Sequence, residues 1–448
     1  MTETLSLSDA IDFLIDHARK NGAEAAESFG IDSINASAEC RLQKTETLEY
    51  AQTDAVDLRV FCGRRQAIVS SSRLKRDTLT ELAERAVQMA KTVPEDPYCG
   101  LADPALQAQT LPDLDMFDAT EITTQQLLDL ALEAEDAALS VKGVTLSDGA
   151  GAGIDKSHII MASTTGFRRE YDRSSASFSV SVIAEDENGN KEVDYDYSSA
   201  VYFSDLESAE KIGKSAGERA VKRLRSKKIA SQTMDVVFEP RLARGLIGTL
   251  TNAINGAAIA RGTSFLKDCM NASVLPDCLT LFENPHKKRG LHSRPCDAEG
   301  LLCRPCALIE NGVLKTWTLD LHSARKLNME PTAHASRGLG CSPHPSVSNL
   351  TLTGGTATPE ELIADIKNGI YVTQLFGQGV NMITGDYSRG ATGFLIENGK
   401  ITAPVSEITV AGNLKDMFKT MVAANDLDDR FAVDVPTLCL PKMSVAGK

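Results

Sequence analysis

Four adjacent polar side chains near the C-terminus are the first candidates for chemistry. They lie in a segment, residues 377 to 412, that contains seven glycines, a density that predicts tight turns with closely approaching backbone. The polar side chains could donate and accept hydrogen bonds to a peptide backbone there. The alternative is an internal ion pair between the acid and the arginine that only fixes the turns. The residues are Asp386, Tyr387, Ser388 and Arg389.

A second candidate chemistry is metal binding. Cys303 and Cys306 form a Cys-x-x-Cys pair, and Cys296 and His292 precede them. Thiolate and imidazole ligands in this pattern can hold a tetrahedral ion. Because the sequence lacks a second paired ligand motif, we favour the alternative of a variable surface loop, and we expect no metal ligands in this chain.

His334 lies in a polar segment rich in glycine and serine. Its imidazole could contact a ligand or a partner there, since histidine both donates and accepts hydrogen bonds near neutral pH. The alternative, which we favour, is a solvated or structurally hydrogen-bonded histidine.

The N-terminal half must supply part of the scaffold that positions these residues. Apolar residues at helical spacing predict an amphipathic helix over residues 8–29 with Ser8 as its cap. Short apolar stretches with polar breaks predict a meander of strands over residues 34–71. A capping box at Thr78 predicts a second helix that extends to about Val93. Together these elements form an α-β-α unit.

Further along the chain, the pattern predicts a helix over residues 123–141. Alternating residues on either side of an Asn-Gly turn, within residues 187–190, predict a long hairpin. A capping box at residues 204–207 predicts a helix to about Lys222, which we expect to cross into a second domain.

We predict a domain boundary near residue 230. The N-terminal domain, residues 1–230, combines helices with an antiparallel sheet, and the C-terminal domain, residues 231–448, is rich in strands with a few helices. Two hairpins with Asn-Gly turns are predicted in the second domain, at Asn311 and Asn398. The predicted fold class is α+β. The helical stretches of the second domain are expected at residues 240–259, 319–327, 359–369 and 412–425.

Charge and composition exclude several classes of protein. The formal net charge is -14 at pH 7, which disfavours nucleic acid as a partner because phosphate binding draws on clustered Lys and Arg. No run approaches the ~20 apolar residues that a membrane span needs, and the N-terminus has no apolar signal core. Ten cysteines at irregular spacing fit a reducing compartment, so we expect a cytoplasmic protein.

The glycine-rich segment closely resembles the C-terminal region of the TldD/PmbA family. Residues 385–390, Gly-Asp-Tyr-Ser-Arg-Gly, and residues 407–416, Glu-Ile-Thr-Val-Ala-Gly-Asn-Leu-Lys-Asp, are similar to the PmbA (TldE) branch. The resemblance is strong over about residues 230–448 and looser over residues 1–230, where the order of helices and strands fits the family's N-terminal α+β domain. It implies a partner subunit of a zinc-dependent protease.

The resemblance places the His-Glu-x-x-x-His zinc motif of the TldD branch at residues 240–260. That stretch of this chain contains no His, Glu, Asp or Cys. A catalytic zinc needs about three such ligands and a water, with a carboxylate to take the water's proton. The late cysteine ligand of the TldD branch has no good match either, since Cys439 lies in an apolar, strand-like stretch.

The resemblance therefore implies a PmbA-type subunit without zinc of its own. Zinc is expected in a TldD-type partner, with which this chain would form a heterodimer, and homodimers are also expected. The implied substrates are unfolded peptides, including leader peptides of modified peptide antibiotics and antitoxins. Two alternatives stay open. One is a self-sufficient metallopeptidase that uses the Cys/His loop or an unrecognised nucleophile, and the other is a regulatory binding protein acting on toxin-antitoxin or gyrase systems.

Overall fold

The computed structural model describes residues 3–447, in which two sets of sheets follow one another along the chain. The first set and its helices are α1 (Leu7–Lys20), β1 (Ala25–Arg41), β2 (Lys44–Cys62), β3 (Arg65–Ser71), α2 (Arg76–Thr92), α3 (Thr124–Leu139), β4 (Val144–Ser163), β5 (Arg168–Glu185), β6 (Lys191–Ala200) and α4 (Ala209–Lys222).

The second set begins with β7 (Gln232–Phe238), α5 (Pro240–Ala253), α6 (Gly256–Arg261), β8 (Thr280–Glu283), β9 (Cys306–Glu310), β10 (Val313–Leu314), α7 (Leu321–Leu327), β11 (Ala335–Ser336) and β12 (His344–Pro345). It continues with β13 (Leu350–Thr353), α8 (Pro359–Ala364), β14 (Asn368–Phe376), β15 (Asp386–Glu397), β16 (Lys400–Asn413), α9 (Leu414–Thr420), β17 (Val422–Ala423), β18 (Val433–Asp434) and β19 (Leu438–Ala446).

The first six strands form one antiparallel sheet in the order β3-β2-β1-β4-β5-β6. Side chains alternate between its two faces. On one face, α1 and α2 pack on the half around β2 and β3, and α3 and α4 pack on the half around β4 and β5. On the other face, Phe29 and Ile159 pack against the second part of the chain, including Cys296. The sheet is thus enclosed between helices and the C-terminal part.

The largest sheet of the second part closes on itself. Its strand order is β16-β15-β14-β7-β19-β17, and β19 also pairs with β16. A second sheet has the order β10-β9-β8-β13-β18. The core between these sheets includes apolar side chains of α5, such as Leu246 and Leu250. This mixture of antiparallel sheets and helices confirms the predicted α+β class.

The predicted strands and turns of both parts are confirmed. The meander over residues 34–71 corresponds to β1, β2 and β3, and the hairpin of β5 and β6 turns at residues 186–190. Both Asn-Gly hairpins of the second part are present. Asn311 and Asn398 have φ angles of 47° and 49°, and the glycines that follow have φ angles of 77° and 78°. Two consecutive positive φ angles define the hairpin turn that Asn-Gly favours.

The prediction of a helix over residues 8–29 is wrong in its second half. α1 ends at Lys20, and Gly22, with a φ of 98°, turns the chain toward β1. Gly30, the first residue after the predicted helix, lies inside β1, which is paired with β2 on one side and β4 on the other. Pairing along both edges of β1 therefore outweighs the local helical spacing.

The helix caps also differ from the predicted ones. Ser6 rather than Ser8 caps α1. The predicted box at Thr78 lies inside α2, whose N-terminus has no side-chain cap hydrogen bond. Residues 204–207 do not open α4 either, since Ser208 is its cap. These three helices are present near their predicted places, but none of them is capped by the residue that the sequence motif indicated.

Candidate functional site

The four predicted residues at the start of β15 do not form one cluster. Because side chains alternate along a strand, Tyr387 and Arg389 lie on one face and Asp386 and Ser388 on the other. The tyrosine is buried and the arginine is half-buried, whereas Asp386 and Ser388 are exposed. The surface at this point therefore offers one carboxylate and one hydroxyl.

Asp386 fixes the turn that precedes β15. Its carboxylate accepts hydrogen bonds from Thr384 Oγ1 at 2.7 Å and from Asn413 Nδ2 at 3.2 Å. These two hydrogen bonds hold the pKa of Asp386 below its usual value. Within residues 3–447 no ion pair joins Asp386 to Arg389, so the alternative in which these two residues pair with each other does not describe the fold.

The other face of β15 holds two polar atoms without a protein partner. Tyr387 Oη and Arg389 Nε are both buried, and neither atom has a partner of standard hydrogen-bond geometry among the described residues. Burial raises the pKa of Tyr387 to about 12, although the charge of the neighbouring Arg389 and its hydrogen-bonding contact with the tyrosine oppose this shift. Unpaired buried polar atoms are uncommon because each costs desolvation free energy. Water or a bound group is the ordinary partner in such a case.

The close backbone approach predicted from the glycine density is found at Gly379. Ser388 N donates to Gly379 O at 2.7 Å, and an added Cβ on Gly379 would stand 1.5 Å from Ser388 O. No side chain fits in that space. The glycine therefore lets residues 379–380 run alongside the start of β15.

His334 is buried and hydrogen-bonded on both ring nitrogens. Nε2 lies 2.6 Å from Glu283 Oε2, and Nδ1 lies 2.8 Å from Thr332 Oγ1. Glu283 Oε1 also accepts from Ser348 N at 2.5 Å. Burial favours the neutral acid, but the hydrogen bond and charge of His334 hold the pKa of Glu283 below its usual value. His334 is thus an internal residue rather than a ligand contact on a polar loop.

Cys306 completes a group of three candidate metal ligands with these two residues. The nearest ligand atoms of Glu283, Cys306 and His334 all lie within 4.8 Å of one another. Sequence reasoning identified the cysteine and the histidine separately and missed Glu283. The sequence gives only a weak signal for Glu283, because a single Glu at the end of an apolar strand such as β8 can be either buried or exposed.

The other predicted metal candidates lie apart from this group. Cys296 packs in an apolar cluster with Phe29, and burial raises its pKa to about 12. The Cys303 thiol donates to Ala333 O at 3.4 Å, and burial raises its pKa too. The backbone N–H of His292 donates to Asn349 Oδ1. In the described part of the chain these three do not join Cys306 in a common set of ligands.

A buried network of charges surrounds the start of α5. Glu239 accepts from Arg219 Nη1 at 2.8 Å and from Arg241 Nε at 2.9 Å. Asp194 accepts from Arg241 Nη2 at 3.0 Å and from Arg223 Nη1 at 3.1 Å. The side chains of Glu239 and Asp194 are only 6% and 2% exposed, so each carboxylate depends on these arginines. The network joins α5 to α4 and β6.

A cavity of about 880 Å³ lies beside this network. Arg219, Arg223 and Glu239 contribute charge to its wall, and Tyr371 and Phe394 contribute aromatic surface. Its size and mixed lining are those of a pocket for a small ligand or a peptide side chain. Sequence reasoning gave no signal for this cavity, because its walls come from elements that are distant in the chain.

Comparison with known proteins assigns the family. Residues 26–90, 117–224 and 231–447 match, in order, domain 1, the central domain and the C-terminal domain of the PmbA/TldA metallopeptidases. The chain is 36% identical over 432 residues to Metalloprotease PmbA of Escherichia coli O157:H7, which covers 96% of this chain and 93% of that protein. This chain belongs to the TldD/PmbA family, in its PmbA (TldE) branch.

Solved structures agree with this assignment. A proposed modulator of DNA gyrase from Bacteroides thetaiotaomicron superposes with a TM-score of 0.90 at 28% identity, over 98% of this chain and 99% of that one. TldE from Thermococcus kodakarensis superposes with a TM-score of 0.87 over 98% of this chain and 100% of that one. At 19% identity the second likeness shows the fold alone.

The zinc site that the TldD branch implies does not fit α5 in this chain. Pro240–Ala253 contains no His, Cys, Asp or Glu that could bind zinc. Glu239, directly before it, forms ion pairs with two arginines. A zinc ion there would lack the three ligands it needs.

We also find that none of the helices in residues 3–447 has the length and apolar character of a membrane span.

Proposed function

We propose that this chain is a PmbA/TldE-type subunit that has no catalytic zinc at α5 and acts with a metal-bearing TldD-type partner. The observation that carries the proposal is the set of side chains at α5, which offers no zinc ligand. Peptide hydrolysis by zinc requires an activated water on the ion and a carboxylate that takes its proton. Because α5 provides neither, the partner must supply the catalytic centre.

The proposed task of the complex is to degrade or trim unfolded peptides in the cytoplasm, including leader peptides and antitoxins. Two features support a contribution from this chain to peptide binding. Asp386 and Ser388 present hydrogen-bonding groups on the surface of β15, and the cavity beside Glu239 combines charge with aromatic surface. An extended peptide needs both kinds of contact, for its backbone and for its side chains. The alternative is that the β15 surface contacts the partner subunit instead of the peptide.

The test compares four preparations on casein and on an unfolded peptide. Three of them are this chain alone, a TldD-type partner alone, and the two together. A fourth preparation combines this chain with a partner whose zinc-ligating histidines are replaced by alanine. We expect cleavage from the intact pair, abolished by the histidine replacements, and none from this chain alone.

Cleavage by this chain alone would overturn the proposal and favour the self-sufficient metallopeptidase. Cleavage by the partner alone at the rate of the pair would also overturn it, because this chain would then be dispensable. A change in gyrase activity or in toxin-antitoxin binding, without peptide cleavage by any preparation, would favour the regulatory alternative.

A further inference from the structure

The geometry points to a metal site away from α5. We propose that Glu283, Cys306 and His334 bind one zinc ion in a structural role. This inference goes beyond the proposed function, because it concerns an ion that does not take part in peptide cleavage. It also revises the expectation that this chain holds no metal.

The three donor types match zinc. Zinc in proteins binds thiolate, imidazole and carboxylate groups, and three protein ligands leave the fourth position of the tetrahedron to a water. That ligand number is the one usual in catalytic sites, so the structural role proposed here rests on burial and not on the number of ligands. A carboxylate and an imidazole alone suit several divalent ions, whereas a thiolate shifts the preference toward zinc and other thiophilic metals. The donor set therefore selects zinc over magnesium or calcium.

The separations are those of a site that needs only a small adjustment. Zinc ligands in a tetrahedron stand about 3.4 Å apart, given bond lengths of about 2.0–2.3 Å. His334 Nε2 and Glu283 Oε2 are 2.6 Å apart, and the three ligand atoms lie within 4.8 Å of one another. The histidine and glutamate must separate by less than about 1 Å, and the thiol must approach by at most about 1.4 Å.

Neighbouring groups already orient two of the ligands. Thr332 Oγ1 contacts Nδ1 of His334 at 2.8 Å, so the ring directs Nε2 toward Glu283. Ser348 N binds Oε1 of Glu283 at 2.5 Å, which leaves Oε2 facing the histidine. Metal-ligating histidines and carboxylates commonly have such partners on their distal atoms. The arrangement is therefore built around the point where the ion would lie.

The depth and connectivity of the site assign the ion a structural role. The side chains of Glu283 and His334 are 2% and 5% exposed and Cys306 is partly buried, so a peptide bond has little access to the ion. The three ligands come from the end of β8, the start of β9 and the loop before β11. An ion would cross-link these segments. On binding, the thiol proton and the proton shared by His334 and Glu283 pass to solvent.

The experiment uses the full-length chain, stripped with a chelator and dialysed against zinc chloride. We expect one bound zinc per chain in the wild type and a large loss of bound zinc in Cys306→Ser. Cys303→Ser is the matched control, because it removes the other half of the Cys-x-x-Cys pair and should retain the ion. Cobalt(II) in place of zinc should give a thiolate-to-cobalt absorption band that Cys306→Ser abolishes and Cys303→Ser preserves.

Thermal unfolding gives a second measurement for the same variants. Zinc should raise the Tm of the wild type and of Cys303→Ser but not that of Cys306→Ser, since an ion that binds the folded state stabilises it. No zinc uptake by the folded wild type, or equal uptake by Cys306→Ser, would overturn the proposal. These outcomes are independent of the cleavage assays, which report on the partner's zinc.

Discussion

Arg337 and Asp57 form a buried ion pair between the two parts of the chain. Nη2 of Arg337 donates to both carboxylate oxygens of Asp57, each at 2.7 Å. The arginine side chain is 3% exposed and the aspartate 0%. Arg337 also binds Glu27 at 2.8 Å. The loop that follows His334 is thus fixed to the centre of the N-terminal sheet by charges that are almost entirely buried.

Replacement of Arg337 should strongly destabilise the protein. Arg337→Met leaves Asp57 buried and without its cation, for which we expect a loss of about 3–5 kcal/mol in the free energy of unfolding. The measurement is denaturant-induced unfolding. Arg65→Met is the control, because its ion pair with Glu95 is largely exposed and should contribute about 0–1 kcal/mol. Equal effects of the two substitutions would contradict this account.

The same variant should depend on pH in a defined direction. Burial raises the pKa of Asp57 above its usual value, and Arg337 opposes that shift. Without the arginine, the folded state binds the Asp57 proton more tightly than the unfolded chain does, whose Asp pKa is about 3.9. Lowering the pH therefore favours the folded state at this group. We expect the deficit of Arg337→Met to shrink as the pH falls from 7 toward about 4.

The double variant Asp57→Asn/Arg337→Met is the control for this pH dependence. It carries no titratable group at either position. Its free energy of unfolding should therefore not move toward the wild-type value as the pH falls. If the deficit of Arg337→Met stayed constant over this range, Asp57 would not be the group responsible.

Local signals predicted the fold better than they predicted the site. The Asn-Gly turns at Asn311 and Asn398 and the strand meander follow from neighbouring residues, and the structure contains them. The end of α1 is decided by the pairing of β1 with two strands that come later in the chain. Glu283 meets His334 across 51 positions, a contact that no local pattern indicates. Sequence spacing therefore grouped Cys306 with Cys303, Cys296 and His292, whereas the structure places it beside Glu283 and His334.

Two threonines test whether a cap motif stabilises a helix only where the structure shows its hydrogen bonds. Thr123 accepts from Gln126 N, and the Gln126 side chain accepts from Thr123 N, so a complete capping box opens α3. Thr123→Ala should cost about 1 kcal/mol. Thr78→Ala, at the predicted box that the structure places inside α2, should change stability by less than about 0.5 kcal/mol. A larger loss from Thr78→Ala, measured by the same unfolding experiment, would show that the sequence motif does cap α2.

Arg389 tests whether the face of β15 opposite Asp386 and Ser388 contributes to binding of the substrate or the partner. Its side chain is half-buried and its Nε has no partner of standard hydrogen-bond geometry in the described part of the chain, so the polar contact that Arg389→Ala removes there is the one with the Tyr387 side chain. If the guanidinium binds a peptide or the partner subunit, partner-dependent cleavage should fall about tenfold, equal to ~1.4 kcal/mol. The Tm should stay close to that of the wild type. Arg64→Ala, an exposed arginine in the turn between β2 and β3, is the control and should cleave normally. Unchanged cleavage by Arg389→Ala would exclude a contact through its guanidinium, and a large fall in Tm would show instead that Arg389 supports the strand.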